Sequence, residues 1–546
     1  MSSTRACCSN AAPQSPCQPC EPCQNSRSRP RAGTRAYRRS PERAFDKTVD
    51  LVVVGLGGAG AVAAIEAARL GRSVLVLEKT AAGGGNTAVS AGNFIIPADA
   101  EKAFEYLSAT FALGASEMDA AAVRRFCVEA AATREFFADI APEAELQVAG
   151  HANFPQLPHA ETITKYSIKG EATGGINLFA VLKAALKRLS VEVLYETPAE
   201  ELVVEGFQNT DGDIVDAVTG VLARRADGST LLIGARHGVV LATGGYECDA
   251  ESLESFCQGA PLFSLGTPAN TGDGLRMAQS VNAALWHMHA YSCPLGMRVP
   301  GLSSAIPFHP TMAGFIWVDR FGRRFANEAD VDLHACLYSV NHFDPVKHCY
   351  PAIPCWAVFD EKARTTGGIT HQRFGYGAVI EGYAWSRDSS REIEAGIVKK
   401  AESIEELAEI IGFDPAALKA TVARWNACVR EGSDHDFGRR MEKPLTEKAS
   451  LAGLTPRKLS DTIEEGPFYA VELYPALLNT QGGPRRSERA EVLDRAGRPI
   501  PGLYAAGELG SLWGTVYQGS SNVAECLAYG RIAAREALSR PARNLD

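Results

Sequence analysis

The sequence predicts an α/β fold, a largely parallel sheet flanked by helices, on three observations. Short β-branched runs alternate with helical patterns along the chain. The first of these runs ends in a glycine triplet. A second glycine-rich stretch, Leu477–Ala534, answers the first, Val49–Pro97, from the far end of the chain, and the two read as halves of one cradle.

The opening run, Asp50-Leu-Val-Val-Val-Gly55, suits a strand buried on both faces of a parallel sheet. It leads into Gly55-x-Gly57-x-x-Gly60, with Gly58 and Ala59 completing the turn. The first glycine permits the tight turn and the second lets backbone approach a pyrophosphate. The third lets the next helix, Ala61–Leu70, pack close to the strand. That helix presents free N–H groups and its positive dipole end to phosphates. A second strand, Ser73–Leu77, ends at Glu78, where a ribose-gripping carboxylate is expected, with Lys79 beside it. Strand, triplet, helix, strand and acid together predict dinucleotide binding. Next comes Ala81-Ala-Gly-Gly-Gly-Asn86-Thr-Ala-Val-Ser90-Ala-Gly92-Asn93. Its small and polar residues, among them Gly84, Gly85, Asn86, Thr87, Ser90, Ala91 and Gly92, let backbone lie against a flat ring. Farther on, helical patterns at Ala115–Ala138, Leu178–Leu189 and Gly274–Asn282 alternate with β-rich runs at Glu192–Tyr195, Ile214–Leu222 and Gly238–Leu241.

At 546 residues the chain exceeds one core and has room for two or three domains. An apolar content of 46% and a net charge of -9 suit a soluble globular enzyme, and argue against a nucleic-acid partner, which needs clustered basic charge. The longest apolar stretch, Leu51–Ala64, is broken by glycines and too short for a bilayer, so no integral membrane segment is expected. Residues 1–47, rich in Arg, Pro, Ser and Cys, are expected to form a disordered leader. Arg38-Arg39 precedes Ser-Pro-Glu-Arg instead of an apolar core, which argues against a twin-arginine signal. The same composition fits an organellar transit segment or a start assigned too early. Cys7, Cys8, Cys17, Cys20 and Cys23 crowd this leader, but interleaved prolines and the lack of a partner motif argue against a metal site, and none is expected. The other nine cysteines, Cys127 to Cys526, lack paired spacing and read as reduced core thiols, in keeping with a cytoplasmic compartment.

From Val49 onward the chain resembles the FAD-dependent superfamily of fumarate reductase, the succinate dehydrogenase flavoprotein subunit and the 3-ketosteroid dehydrogenases. The resemblance rests on the two segments above and, in order, on several shorter motifs. These are Gly174-Gly175, Leu241-Ala242-Thr243-Gly244-Gly245, Asn270-Thr-Gly-Asp273-Gly274 and the hairpin Ile316–Glu328. Gly502-Leu-Tyr-Ala-Ala-Gly507-Glu508 and Gly519-Ser-Ser521-Asn522, leading into a helix Val523–Ala537, complete the set. The resemblance implies a Rossmann-like FAD-binding domain, 48–290 and 467–540, interrupted by an α+β capping (substrate) domain at 291–466. It implies non-covalent FAD, since Gly83–Asn93 holds no histidine. Ala242, Thr243 and Gly244 would lie against the cofactor, Asp273 in a flavin-domain turn, and Gly507-Glu508 on the ribityl or ribose chain. The amides of Ser521, Asn522 and Val523 would face the pyrimidine edge, where negative charge collects on reduction.

For the substrate side the resemblance implies redox chemistry between carbons, with a small-molecule substrate and a diffusible or protein electron partner. Dicarboxylate reductases of this superfamily use an arginine acid after the Arg-Phe-x-Asn-Glu hairpin, a histidine before Thr-x-Gly-Gly and an arginine before the last glycine turn. Here Asp332, Asn479 and Tyr517 stand there, removing charge complementarity to a dicarboxylate and leaving Arg485 and Arg486 either to hold one carboxylate or to serve as a surface pair or an anchor for flavin O2. Ketosteroid dehydrogenases also place a tyrosine before the last glycine turn, where its hydroxyl and a backbone N–H hold a ketone. By that resemblance Tyr517 and the amides of Ser520 or Ser521 grip a carbonyl, with Tyr338, Tyr291 and His334 as candidate proton carriers. His309 resembles a family turn near the flavin, and Trp286, Trp317 and Trp513 read as core or pocket wall. The expected activity is FAD-dependent CH–CH oxidoreduction of a carbonyl-conjugated, largely apolar substrate such as a 3-ketosteroid. The alternative is a reductase of an unsaturated organic acid, and a third reading is a non-catalytic flavin-binding protein.

Overall fold

The computed structural model describes residues 35–40, 43–208, 214–370, 374–441 and 460–545, so the leader cysteines Cys7 to Cys23 lie outside the described residues. Lys47–Val54 pairs in parallel with Val74–Leu77 on one side and with Thr230–Leu241 on the other, and Val74–Leu77 pairs in parallel with Glu192–Leu194. Alternate residues feed two cores. Leu51, Val53, Val74 and Val76 face the core that holds the helices Gly58–Arg69 and Ser521–Ser539, whereas Val52, Val54, Leu75 and Leu77 face the other. A strand wet on neither face needs an unbroken apolar run, which is what Asp50–Gly55 carries. Thr230–Leu241 serves three neighbours: its first half runs antiparallel to Ile214–Arg224 and its last three residues parallel to Pro499–Ala505. The C-terminal segment thereby returns to the middle of a nine-stranded sheet.

Helix Ser521–Ser539 lies close along Gly58–Arg69, because a Cβ at Gly530 would fall 2.7 Å from the Ala59 carbonyl oxygen. Three expectations shift. The single helix expected over Ala115–Ala138 is two, Ala120–Ala131 and Thr133–Ile140, the first started by the Asp119 carboxylate accepting from Ala122 N–H. Tyr37–Arg38 pairs with Val203 and Val204, and Arg39 meets Glu205, so the part of the expected leader from 35 on that is described joins the sheet edge. The third concerns the boundary at 466. A seven-stranded second sheet is centred on Phe468–Leu477, which pairs with Cys355–Asp360, Val398–Ala401, Leu295–Met297 and Phe263–Ser264. This sheet therefore runs past 466 at one end and takes a strand from before 291. Its faces also alternate, with Ala357, Phe359, Val471 and Leu473 in one core and Val358 and Ala470 in another with helices Ile404–Ile411 and Pro415–Glu431. A small antiparallel sheet is formed by Phe94–Pro97, Ile163–Ile168 and Leu146–His151, and no motif announces it.

Candidate active site

A cleft of ≈ 650 Å³ is lined by residues of both sheets and of the small antiparallel sheet. Its floor is glycine. Gly55 adopts φ +98°, and a Cβ there would fall 2.4 Å from the Ala242 carbonyl oxygen; one at Gly60 would fall 2.0 Å from the Gly55 carbonyl oxygen. Gly57 is different, since a Cβ there would meet nothing nearer than the Gly84 carbonyl oxygen at 3.9 Å. Its bare backbone faces the cleft beside the start of the helix Gly58–Arg69, whose first N–H, that of Gly58, donates to Thr87 Oγ1 at 3.0 Å. Glu78 accepts from Leu56 N–H at 2.8 Å and Thr80 N–H at 2.7 Å. Against the opposing pull of burial, Lys79 at 2.6 Å and Arg276 at 2.7 Å hold Asp273 below the usual carboxylate range. Gly92 lies against Gly174-Gly175, a Cβ there falling 2.0 Å from the Gly174 carbonyl carbon, which accounts for both glycine motifs at once.

Asn86 ties the two chain ends together. Its Nδ2 donates to Glu247 Oε1 and to Glu508 Oε2, the latter at 3.1 Å. Asn270 Nδ2 reaches the same two oxygens at 2.8 and 3.4 Å, and Thr480 N–H donates to Glu508 Oε1 at 3.1 Å. Burial pushes both carboxyls up, and at Glu508 the charge of Glu247 adds to it. Two buried carboxyls on the same amides cannot both ionise cheaply, so each holds its proton to higher pH than an exposed carboxyl does.

Several polar atoms in the cleft wall have no protein partner among the described residues: Asn522 Nδ2 and Oδ1, and Thr243 Oγ1, are buried and unbonded. Buried polar atoms are rarely left unpaired. Asn522 sits at the start of Ser521–Ser539, which follows Ser520 at φ +78° and has no side-chain cap. A bare glycine turn, the uncapped start of Ser521–Ser539 and unpaired amide and hydroxyl groups fit a large phosphate-bearing, ring-bearing group such as FAD. Every cofactor residue expected from the sequence lines the cleft except Gly60, Gly84, Gly507 and Ser521, which pack behind its wall.

Tyr517 is buried and lines the cleft, with the His334 ring edge-on at 5.1 Å between centroids. Burial, with the charges of Asp332 and Glu508 adding, pushes the Tyr517 phenol well above its ordinary range, so it stays a neutral donor. His334 lines the cleft on the short turn Leu333–Ala335, and its Nδ1 lies 3.2 Å from Asp332 Oδ1. Asn479 and His309 line the cleft too. The other catalytic candidates are placed elsewhere. Arg485 pairs with Glu117 at 2.9 Å and covers Trp286, while fully buried Arg486 meets Glu525 and the carbonyls of Ala505 and Gly507. Tyr338 is exposed on the short helix Leu337–Val340, and Tyr291 donates to the Gln258 carbonyl at 2.7 Å. Neither tyrosine nor either arginine lines the cleft. Trp286, Trp317 and Trp513 are buried in core clusters. Glu247, Lys165, Asn153 and Gln518 escape sequence reading; only the adjacency of Gln518 to Tyr517 and of Glu247 to the Gly244-Gly245 motif gave any signal.

The FAD binding domain family matches residues 50–523. The NADH:acrylate oxidoreductase of Vibrio harveyi is 27% identical, over 90% of this chain and 50% of that protein, so the chain spans about half the length of this relative. The 4-oxocyclohexanecarboxylate 2-dehydrogenase of Sinomonas cyclohexanicum is 29% identical, over 84% of this chain and 87% of that protein. In fold, a 3-ketosteroid Δ1-dehydrogenase from Sterolibacterium denitrificans is similar at a TM-score of 0.75 and 24% identity, over 90% of this chain and 100% of that one. Among the described residues no helix is long and apolar enough to cross a membrane. With the family match running through both halves of the glycine cradle, the chain belongs to the FAD binding domain family, in the superfamily of the fumarate reductases and 3-ketosteroid dehydrogenases.

Proposed function

We propose that the protein is a FAD-dependent CH–CH oxidoreductase of a carbonyl-conjugated, largely apolar substrate, with FAD held non-covalently by the residues above. The observation that carries the reading is Tyr517, a buried phenol that lines the cleft with His334 at its edge. Bound FAD supplies the hydride acceptor or donor. The Tyr517 hydroxyl donates to the substrate carbonyl oxygen and lowers the cost of enolate charge. His334, held at Nδ1 by Asp332, offers Nε2 to the proton on the carbon next to that carbonyl. A diffusible or protein redox partner exchanges electrons with the enzyme. The contacts of Arg485 and Arg486 speak against an acid site built on them. The Sinomonas cyclohexanicum relative, matched over 87% of its length, is by name a dehydrogenase of a cyclic oxo acid, which agrees with a ketone-holding site.

The test is anaerobic. The FAD-loaded protein is photoreduced and mixed with steroid enones, simple cyclic enones and unsaturated acids while flavin absorbance is followed near roughly 450 nm. Reoxidation by an enone supports the reading. Reoxidation by acrylate or a dicarboxylate alone overturns it, and no reoxidation by any of them returns the protein to a flavin-binding role.

A further inference from the structure

Lys165 stands on the middle strand of the small antiparallel sheet, between Ile95 and Gly150, and its side chain lines the same cleft as Tyr517. Among the described residues it has no ion-pair partner. Its Nζ donates to Asn153 Oδ1, a neutral acceptor, and an ammonium has three donors to place. Asn153 is fixed in turn: its Oδ1 accepts from Gln518 Nε2 at 3.1 Å, and its N–H donates to Gln518 Oε1 at 2.8 Å. Fully buried Gln518, which also accepts from the Tyr106 hydroxyl at 2.6 Å, is the residue after Tyr517. A Cβ at Gly519 would fall 2.9 Å from His334 Cε1 and 3.1 Å from Asn153 Oδ1, so lysine, amide, histidine and tyrosine crowd one end of the cleft.

We infer that Lys165 holds a carboxylate on the substrate, and that the substrate class is an oxo monocarboxylic acid whose carbonyl meets Tyr517. The inference rests on the ketone reading above and sharpens it. Charge limits the substrate to one carboxylate at most: Lys165 is a single cation, Asp332 is close enough to offset part of its charge, and Asn479 brings none. The same count explains how an acid is recognised here although Arg485 and Arg486 are engaged outside the cleft.

The experiment compares 4-oxocyclohexanecarboxylate with its methyl ester, both as substrates of the FAD-loaded protein with a phenazine dye as the added two-electron acceptor, for wild type, Lys165→Met and Lys165→Arg. A charge-assisted contact in a partly buried site predicts an acid-over-ester preference in kcat/KM of about 10²-fold, and its collapse in Lys165→Met. Lys165→Arg is expected to restore much of it. If Lys165 only props Asn153 and Gln518, both substrates fall together in Lys165→Met and the ratio stays, which overturns the inference. Equal rates for acid and ester in wild type overturn it while leaving the ketone reading intact. Failure of both, together with all enones, overturns both readings. Should Lys165→Met not take up FAD, Lys165→Gln replaces it, since a neutral amide still donates to Asn153.

Discussion

Tyr517→Phe isolates one hydroxyl. The ring is only 7% exposed and touches His334 edge-on, and phenylalanine keeps both the volume and that contact, so the fold and the cleft shape are expected to survive. What is lost is a donor that burial keeps protonated and that the proposed mechanism places on the substrate carbonyl oxygen. One such donor to a developing oxyanion is worth about 3 kcal/mol, which is about 10²-fold in rate. The assay is stopped-flow reoxidation of the reduced flavin by a cyclic enone, with flavin content and melting temperature measured alongside. The expected result is a fall of about 10²–10³ in the reoxidation rate constant with little change in either control. A rate within about threefold of wild type, with flavin content unchanged, refutes the role given to Tyr517.

Gly57 has φ -88°, open to any residue, and free space over its Cα, so Gly57→Ala should leave the apoprotein's melting temperature alone while weakening FAD binding about 10-fold or more by fluorescence titration. Glu247 and Glu508 have raised folded-state values, so the folded apoprotein holds a proton the unfolded chain releases above about pH 4.3. Their contribution is fully present below that point and is lost as pH rises, so the apoprotein's melting temperature should fall toward alkaline pH, and Glu247→Gln should flatten the fall. Arg486→Met strands Glu525 in the core and should cost about 3–5 kcal/mol in urea unfolding, whereas a substrate-binding role predicts weaker acid binding by a protein of normal stability. Arg485→Ala, at a surface pair, should leave turnover of an unsaturated acid within about twofold of wild type.

The cradle was legible because glycine is the signal: backbone that must turn tightly or lie bare cannot carry a side chain, so Gly55, Gly57 and Gly92 announce themselves in the sequence. The central strands were legible for a similar reason, since burial on both faces leaves an unbroken apolar run. The boundary at 466 was not, because Phe468–Leu477 is an ordinary apolar strand whose central place follows from partners more than a hundred residues away. Arg485 and Arg486 looked like substrate ligands because sequence shows charge and not its counter-charge; Glu117 and Glu525 are joined to them only in space. Lys165 was silent for the converse reason, a single polar residue on a strand with no motif around it. Glu247 looked like one more acid after a glycine pair until Asn86, Asn270 and Glu508 closed around it.

Asn86 and Glu508, joined through one side-chain hydrogen bond, are 422 positions apart, and Tyr106 and Gln518 are 412 apart. During synthesis, at about 5–20 residues per second, the first half of the cradle leaves the ribosome some 20–90 s before the second. For that interval Lys47–Val54 lacks two things: its parallel partner Thr230–Leu241, until that strand appears, and the covering helix Ser521–Ser539, until the end. An apolar strand edge exposed for so long invites chaperone capture, and a chain cut short before Gly507 should never retain flavin. The yellow colour of the purified protein would then certify that both ends of the chain were made and met.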